Sequence, residues 1–121
     1  IKLANDVTLN HEYLPVLGLE EFTRAATELI LGSNSIAIKE GRAFGVQCLS
    51  GTGSIRAAAE FLIKLLNLDT IYISNPTWAS HKLVFTHADF KFIKYYRYWD
   101  EVNRCMDFKG LCEDLEQAPE K

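Results

Sequence analysis

Apolar residues at Phe22, Ala25, Ala26, Leu29 and Ile30 recur at intervals of three and four along residues 19–31, the stripe of an amphipathic helix. Gly32 follows, where a left-handed residue would close that helix. After a polar turn at Ser33-Asn34-Ser35 and a short stretch of helical character to Arg42, the run Phe44-Gly45-Val46-Gln47-Cys48-Leu49 predicts a strand buried on both faces. Ser50-Gly51-Thr52-Gly53 interrupts it as a tight turn, and Ile55, Ala58, Ala59, Leu62, Leu65 and Leu66 then resume at helical spacing. The unit repeats: Thr70-Ile71-Tyr72-Ile73-Ser74 as a strand, Asn75-Pro76 as a turn, a helix over residues 77–87 and a third strand over 91–98. Phe108, Leu111, Cys112 and Leu115 mark a final helix over 108–117, stopped by Pro119. Strands alternating with helices predict an α/β domain with a parallel sheet and right-handed crossovers.

A length of 121 residues is room for one domain with a core of its own, and 48% hydrophobic with 24% charged residues argues against disorder, collagen-like repeats and coiled coil. A formal net charge of −3 argues against a dedicated nucleic-acid binder. No apolar run approaches the roughly 20 residues that a membrane span needs. Cys48, Cys105 and Cys112 are an odd number without metal-like clustering and read as free thiols of a reducing compartment.

Three places carry candidate chemistry. Ser50-Gly51-Thr52-Gly53 lies where a strand meets a helix, on the side where ligands of open α/β sheets bind. Small residues there let a backbone come close, and the free N–H groups and dipole of a helix start favour a phosphate by about 0.3–1 kcal/mol for the dipole alone. A capped tight turn is the plainer alternative. The segment is neither a Walker A loop nor G-x-G-x-x-G. Asn75-Pro76-Thr77-Trp78 ends the next strand, where an indole can face a ring or simply pack, and His81 follows one helical turn later. Lone histidines are more often structural, and the same holds for His11 and for His87, which reads as a surface residue near a helix end. The third place, from Asn10-His11-Glu12-Tyr13 to Gly18, reads on composition as a loop in which Tyr13 is a hydrogen-bond donor.

Taken in order, these segments resemble the aspartate aminotransferases, pyridoxal-phosphate enzymes of the class I aminotransferase group. The resemblance covers almost the whole chain. It rests on residues 9–19 (Leu-Asn-His-Glu-Tyr-Leu-Pro-Val-Leu-Gly-Leu), on Ser50-Gly51-Thr52-Gly53 with Ile55-Arg56, and on Asn75-Pro76-Thr77-Trp78 with His81. Tyr96-Arg97-Tyr98-Trp99-Asp100 and Asp114-Leu115-Glu116-Gln117-Ala118-Pro119-Glu120 complete it. It is nearer the cytosolic branch than the mitochondrial one. The fold it implies is a three-layer α/β/α partial sheet, part of the large domain of fold type I pyridoxal-phosphate transferases. Residues 1–121 would be part of that cofactor-binding domain, 1–18 as an interface loop or arm and 19–121 as a helix plus βα units.

The resemblance also implies roles. Ser50, Gly51 and Thr52 would hold the cofactor phosphate, and Trp78 would stack on the pyridine ring. His81 would support the aspartate that pairs with the ring nitrogen. Tyr13 would reach the phosphate of the partner subunit's cofactor across a homodimer interface. The complete enzyme would convert L-aspartate and 2-oxoglutarate to oxaloacetate and L-glutamate in the cytoplasm. No catalytic residue is expected within these 121 residues, because the lysine that binds the cofactor covalently, in a Ser-x-x-Lys context, is not among them. Lys39, Lys64, Lys82, Lys91, Lys94, Lys109 and Lys121 read as occupying ordinary helix, strand or terminal positions, and Arg56 and Arg97 receive no role from the resemblance. The start at Ile1 and the end at Lys121 read as cuts, and the expectation is a piece inactive by itself. The alternative is a truncated, non-catalytic paralogue that binds a phosphorylated ligand or a protein.

Overall fold

The computed structural model describes residues 3–119. Ile1, Lys2, Glu120 and Lys121 lie outside the described residues, and with them the first two residues of the expected arm and the last of the closing motif. The chain divides into two compact units, Ile1–Leu49 and Ser50–Lys121.

The first unit opens with a 3-10 turn at Leu3–Asn5 and continues as a loop tied by short local bonds, Thr8 N–H and hydroxyl to the Asp6 carboxylate and Glu12 N–H to Asn10 Oδ1. Helix α1 spans Glu20–Leu31. Its first turn holds Glu20 and Glu21, whose charge suits the positive end of the helix dipole, and Gly32 closes it at φ 81° with its N–H on the Glu28 carbonyl. A one-turn helix α2 spans Ile36–Lys39.

The buried strand expected over 44–49 is not formed. That stretch has no ladder partner among the described residues, and its Gln47 is tied to the loop before α1, Gln47 N–H to the Leu17 carbonyl at 3.0 Å and Leu19 N–H to the Gln47 side chain at 2.8 Å. Phe44 and Leu49 are 75% and 89% exposed, so the apolar run marks an extended segment with unburied side chains. A run of this kind specifies neither a hydrogen-bonding partner nor a covering layer.

In the second unit, α3 (Ser50–Lys64), β1 (Thr70–Asn75), α4 (Ser80–His87), β2 (Phe92–Arg97) and α5 (Phe108–Glu116) follow in order. A short hairpin, β3 (Trp99–Asp100) and β4 (Cys105–Met106), precedes α5. Strands β1 and β2 run parallel, from Thr70 beside Phe92 to Asn75 beside Arg97, as the βα pattern predicts. Ser50-Gly51-Thr52-Gly53, expected as a turn before a helix, is instead the first turn of α3. Glycine and serine read as breakers because they are poor helix formers, yet the first turn of a helix tolerates them, its N–H groups being unpaired in any case. Helix α4 begins three residues later than expected, since residues 77–79 serve as its entry turn.

The core is small and lies between α3, β1 and the end of α4. Ala59, Ala88 and Phe90 are buried together, with Leu62, Ile63, Ile71, Phe85 and Ile93 packed against them. Ile73 is buried in β1. The Phe85 and Phe90 rings meet edge to face at 5.5 Å, an arrangement worth about 0.5–1.5 kcal/mol beyond area burial.

Helix α5 is held at both ends. Asp107 caps its start, accepting the Gly110 N–H at 2.7 Å, while its own N–H donates to the Tyr98 carbonyl at 2.9 Å. Farther along, Asp114 accepts the Arg97 backbone N–H at 2.7 Å and the Arg97 guanidinium at 2.8 and 3.1 Å.

Two measurements check this end of the unit. Asp107→Ala is expected to cost ~1 kcal/mol in urea denaturation through loss of the cap. Gly110→Ala is expected to bring no gain, because a Cβ there would meet the capping carboxylate, although that change in an exposed helix interior gains about 1 kcal/mol. Hydrogen bonds from the Arg97 guanidinium, then from its backbone N–H, hold the Asp114 carboxyl below its ordinary value of 3.8. A depressed folded value makes this contribution present at neutral pH and lost as pH falls through that value. Urea midpoints of Asp114→Asn should therefore lie below the parent's at pH 7, and the gap should close as pH drops below 3.8.

Candidate functional site

The first turn of α3 presents the Ser50 and Thr52 hydroxyls, both on exposed residues and neither bonded within the chain among the described residues. Ser50 takes φ 58°, a left-handed conformation uncommon outside glycine, and its carbonyl accepts the Ser54 hydroxyl at 2.9 Å. The helix therefore starts abruptly, with its unpaired first-turn amides beside two unengaged hydroxyls. A Cβ built on Gly51 would face open space. Amide donors, hydroxyls and the positive end of a helix dipole form the donor set that a phosphate monoester requires.

At the carboxyl end of β1 the chain turns through Asn75-Pro76, whose peptide is cis, to Thr77 and Trp78. Three hydrogen bonds hold this turn. Asn75 carbonyl accepts the Tyr98 N–H at 3.2 Å, Trp78 carbonyl accepts the His81 N–H at 3.0 Å, and Thr77 Oγ1 lies 2.7 Å from His81 Nδ1. The Trp78 and His81 rings stand perpendicular, centroids 5.3 Å apart. Trp78 remains 49% exposed, so about half its surface is free for a flat ligand. With Thr77 on Nδ1, His81 Nε2 has no hydrogen-bond partner among the described residues. A cavity of about 200 Å³ lies beside this turn, lined by Ile55 of α3, Ser74 of β1, Tyr96 of β2, Thr77, His81 and Phe85. It borders α3 through Ile55 and the turn through Thr77 and His81, within one unit.

Tyr13 belongs to the first unit and is fully exposed in its loop. His11 is exposed as well, and His87, the last residue of α4, is exposed as expected. Cys48, Cys105 and Cys112 are free.

Sequence reasoning passed over two contributors. Thr77 lies four residues before His81, and that spacing was the available signal for its contact with the ring. Arg97 and Asp114 are 17 residues apart in the chain, with no local pattern to announce their pairing.

Comparison with known proteins identifies the family. The family model for aminotransferase class I and II matches residues 1–121. Over the whole chain, 58% of residues are identical to the cytoplasmic aspartate aminotransferase of Caenorhabditis elegans, of which the chain covers 30%. The chain thus spans about 30% of the length of the curated relatives it matches. Among solved structures, the aspartate aminotransferase from Saccharomyces cerevisiae cytoplasm is similar at TM-score 0.85 and 38% identity, over 98% of this chain and 29% of that one. An aromatic amino acid aminotransferase from Burkholderia cenocepacia is similar at TM-score 0.84 and 27% identity, over 99% and 30%. The expected fold class is borne out, a partial α/β domain of fold type I, and the chain belongs to the class I and II aminotransferase family.

Proposed function

We propose that the protein carrying this chain is a pyridoxal-phosphate-dependent aspartate aminotransferase of the cytoplasm, exchanging an amino group between L-aspartate and 2-oxoglutarate to give oxaloacetate and L-glutamate, and acting as a homodimer. The observation that carries this reading is the pairing, in one unit, of an open helix start bearing two unengaged hydroxyls with a half-exposed indole braced by a histidine. The 58% identity to a relative named for this activity supports the choice of aspartate. The likeness to an aromatic amino acid aminotransferase indicates that this part of the fold serves more than one substrate class.

Each residue then has a task. Ser50, Gly51 and Thr52 hold the phosphate through first-turn amides and hydroxyls. Trp78 lies against the pyridine ring and fixes its plane. His81 braces the indole and supports the carboxylate that pairs with the ring nitrogen. Residues 1–18 form an interface arm in which Tyr13 reaches the phosphate of the partner subunit's cofactor, while 19–121 supply the helix and βα units. The cofactor, when bound, supplies an electron sink for loss of the substrate α-proton. None of these side chains moves that proton; they bind and orient.

Titrating the intact apoprotein with pyridoxal phosphate tests the assignment. Loss of a hydrogen bond to a charged group costs ~1.5–3 kcal/mol, so Thr52→Ala should raise Kd about 10- to 100-fold while Thr52→Ser stays near the parent. Trp78→Ala should raise Kd about 2- to 10-fold, as for loss of one aromatic pair. Unchanged affinity in both alanine variants would overturn the site. Borohydride reduction of the loaded protein followed by peptide mass analysis should find no stoichiometric pyridoxyl group on a lysine within residues 1–121. Such an adduct would contradict the division of roles.

A further inference from the structure

We infer that Asp114, acting through Arg97, is a positioning residue for the turn that carries Trp78. The inference deepens the cofactor reading above and rests on it for the ligand that the indole meets.

The connection runs through backbone. Along a strand the N–H groups point alternately to its two edges. Tyr98 sends its N–H across to Asn75 of the neighbouring strand end, so the N–H of Arg97, one residue earlier, points to the opposite edge of β2. There Asp114 accepts it at 2.7 Å and engages the guanidinium of the same residue. Glu113 adds a second carboxylate, 2.8 Å from Arg97 Nη2. Tyr98 is held on its other side as well, its carbonyl accepting the Asp107 N–H.

The end of β2 is therefore fixed from α5 at two successive residues. A backbone bond carries this fixed end to the start of the turn, Tyr98 N–H to the Asn75 carbonyl. Asn75 precedes Pro76, Thr77 and Trp78 without a break, so a shift of the β2 end would be transmitted to the indole.

Among the described residues Arg97 and Asp114 form no hydrogen bond or ion pair with the Ser50-Gly51-Thr52 turn or with Trp78. An ion pair this exposed, 51% at Arg97, contributes little to stability by charge alone. Its geometric value lies in joining one carboxylate to both a backbone N–H and a planar guanidinium, which fixes orientation as well as distance.

A double-mutant comparison in the intact protein separates positioning from general support. Asp114→Ala should raise the Kd for pyridoxal phosphate about fivefold when Trp78 is present and less than twofold in a Trp78→Ala background. Combined with Thr52→Ala, at the phosphate end, its fivefold effect should persist. Arg97→Gln, which keeps the Asp114 acceptor for the backbone N–H, should give a smaller effect of the same pattern and serves if Asp114→Ala does not fold. Equal effects of Asp114→Ala with and without Trp78 would overturn the inference.

Residue-resolved hydrogen exchange without cofactor supplies an independent readout. In Asp114→Ala the Tyr98 amide should lose protection at least tenfold, while the Phe92 amide, bonded to the Asp69 carbonyl at the far end of the pair, keeps it. A uniform loss at both amides, or none at Tyr98, would sink the proposal. If the parent protein shows no saturable cofactor binding, the proposed function falls, and the exchange comparison alone decides whether the clamp exists.

Discussion

The backbone bond from Tyr98 N–H to the Asn75 carbonyl closes the parallel pair of β1 and β2 at its carboxyl end, and the arrangement of the second unit on that side depends on it. Parallel strands place successive carboxyl ends on the same side, so whatever follows β1 emerges beside whatever follows β2. After β1 comes the turn with Trp78, and after β2 comes the link to α5. Because the register pairs Asn75 with Arg97, the same two residues that end the sheet also start these two excursions. A shift of one register position would move the indole relative to the elements that brace it.

Polar anchoring does more of this work than burial. Among the described residues the buried apolar side chains are few, Ala59, Ala88, Ile73 and Phe90, two of them alanines, whereas Leu29, Ile30 and Leu49 stand largely exposed. Ala59 matters because its small side chain sits completely buried in α3, beside the end of α4, where a longer one would push neighbours apart. The turn between β1 and α4, by contrast, is fixed by the Asn75, Thr77 and Trp78 hydrogen bonds. Such bonds are each modest in net stability, about 0.5–1.5 kcal/mol, but they are directional, and direction is what a stacking ring requires.

What the sequence showed and what it hid follow from this division. Helices α1 and α5 were legible within a residue or two because each has a periodic apolar face, and both main strands because β-branched and aromatic residues cluster in short runs there. Residues 44–49 were misread since periodicity reports which side chains are apolar and not what pairs with the backbone or covers the face. The start of α3 was misread because serine and glycine, penalised inside a helix, are tolerated in its first turn. Of the candidate site, Trp78 and His81 were visible through spacing along one helix. The Thr77 contact to His81 had only its four-residue spacing to announce it, and the Asp114 contact to Arg97 had nothing local at all, since it depends on where side chains point after folding.

Ser50-Gly51-Thr52 and Trp78 are attached to the unit by different means, and that difference bears on how a ligand spanning both would be held. The helix start is set by the packing of α3 through Ala59, Leu62 and Ile63 against Phe85, Ala88 and Phe90. The indole is set by the sheet end and by His81. Phe85 serves both, since it packs against the core and also lies 6.5 Å, centroid to centroid, from the His81 ring. One path from α3 to the Trp78 turn therefore runs through a side chain of α4. A ligand held at both ends would require α4 to stay in place, and the edge-to-face contact of Phe85 with Phe90 is what ties α4 to the segment entering β2. Rigidity between the two ends thus draws on α4 and its aromatic residues, although none of the proposed phosphate donors lies on that helix.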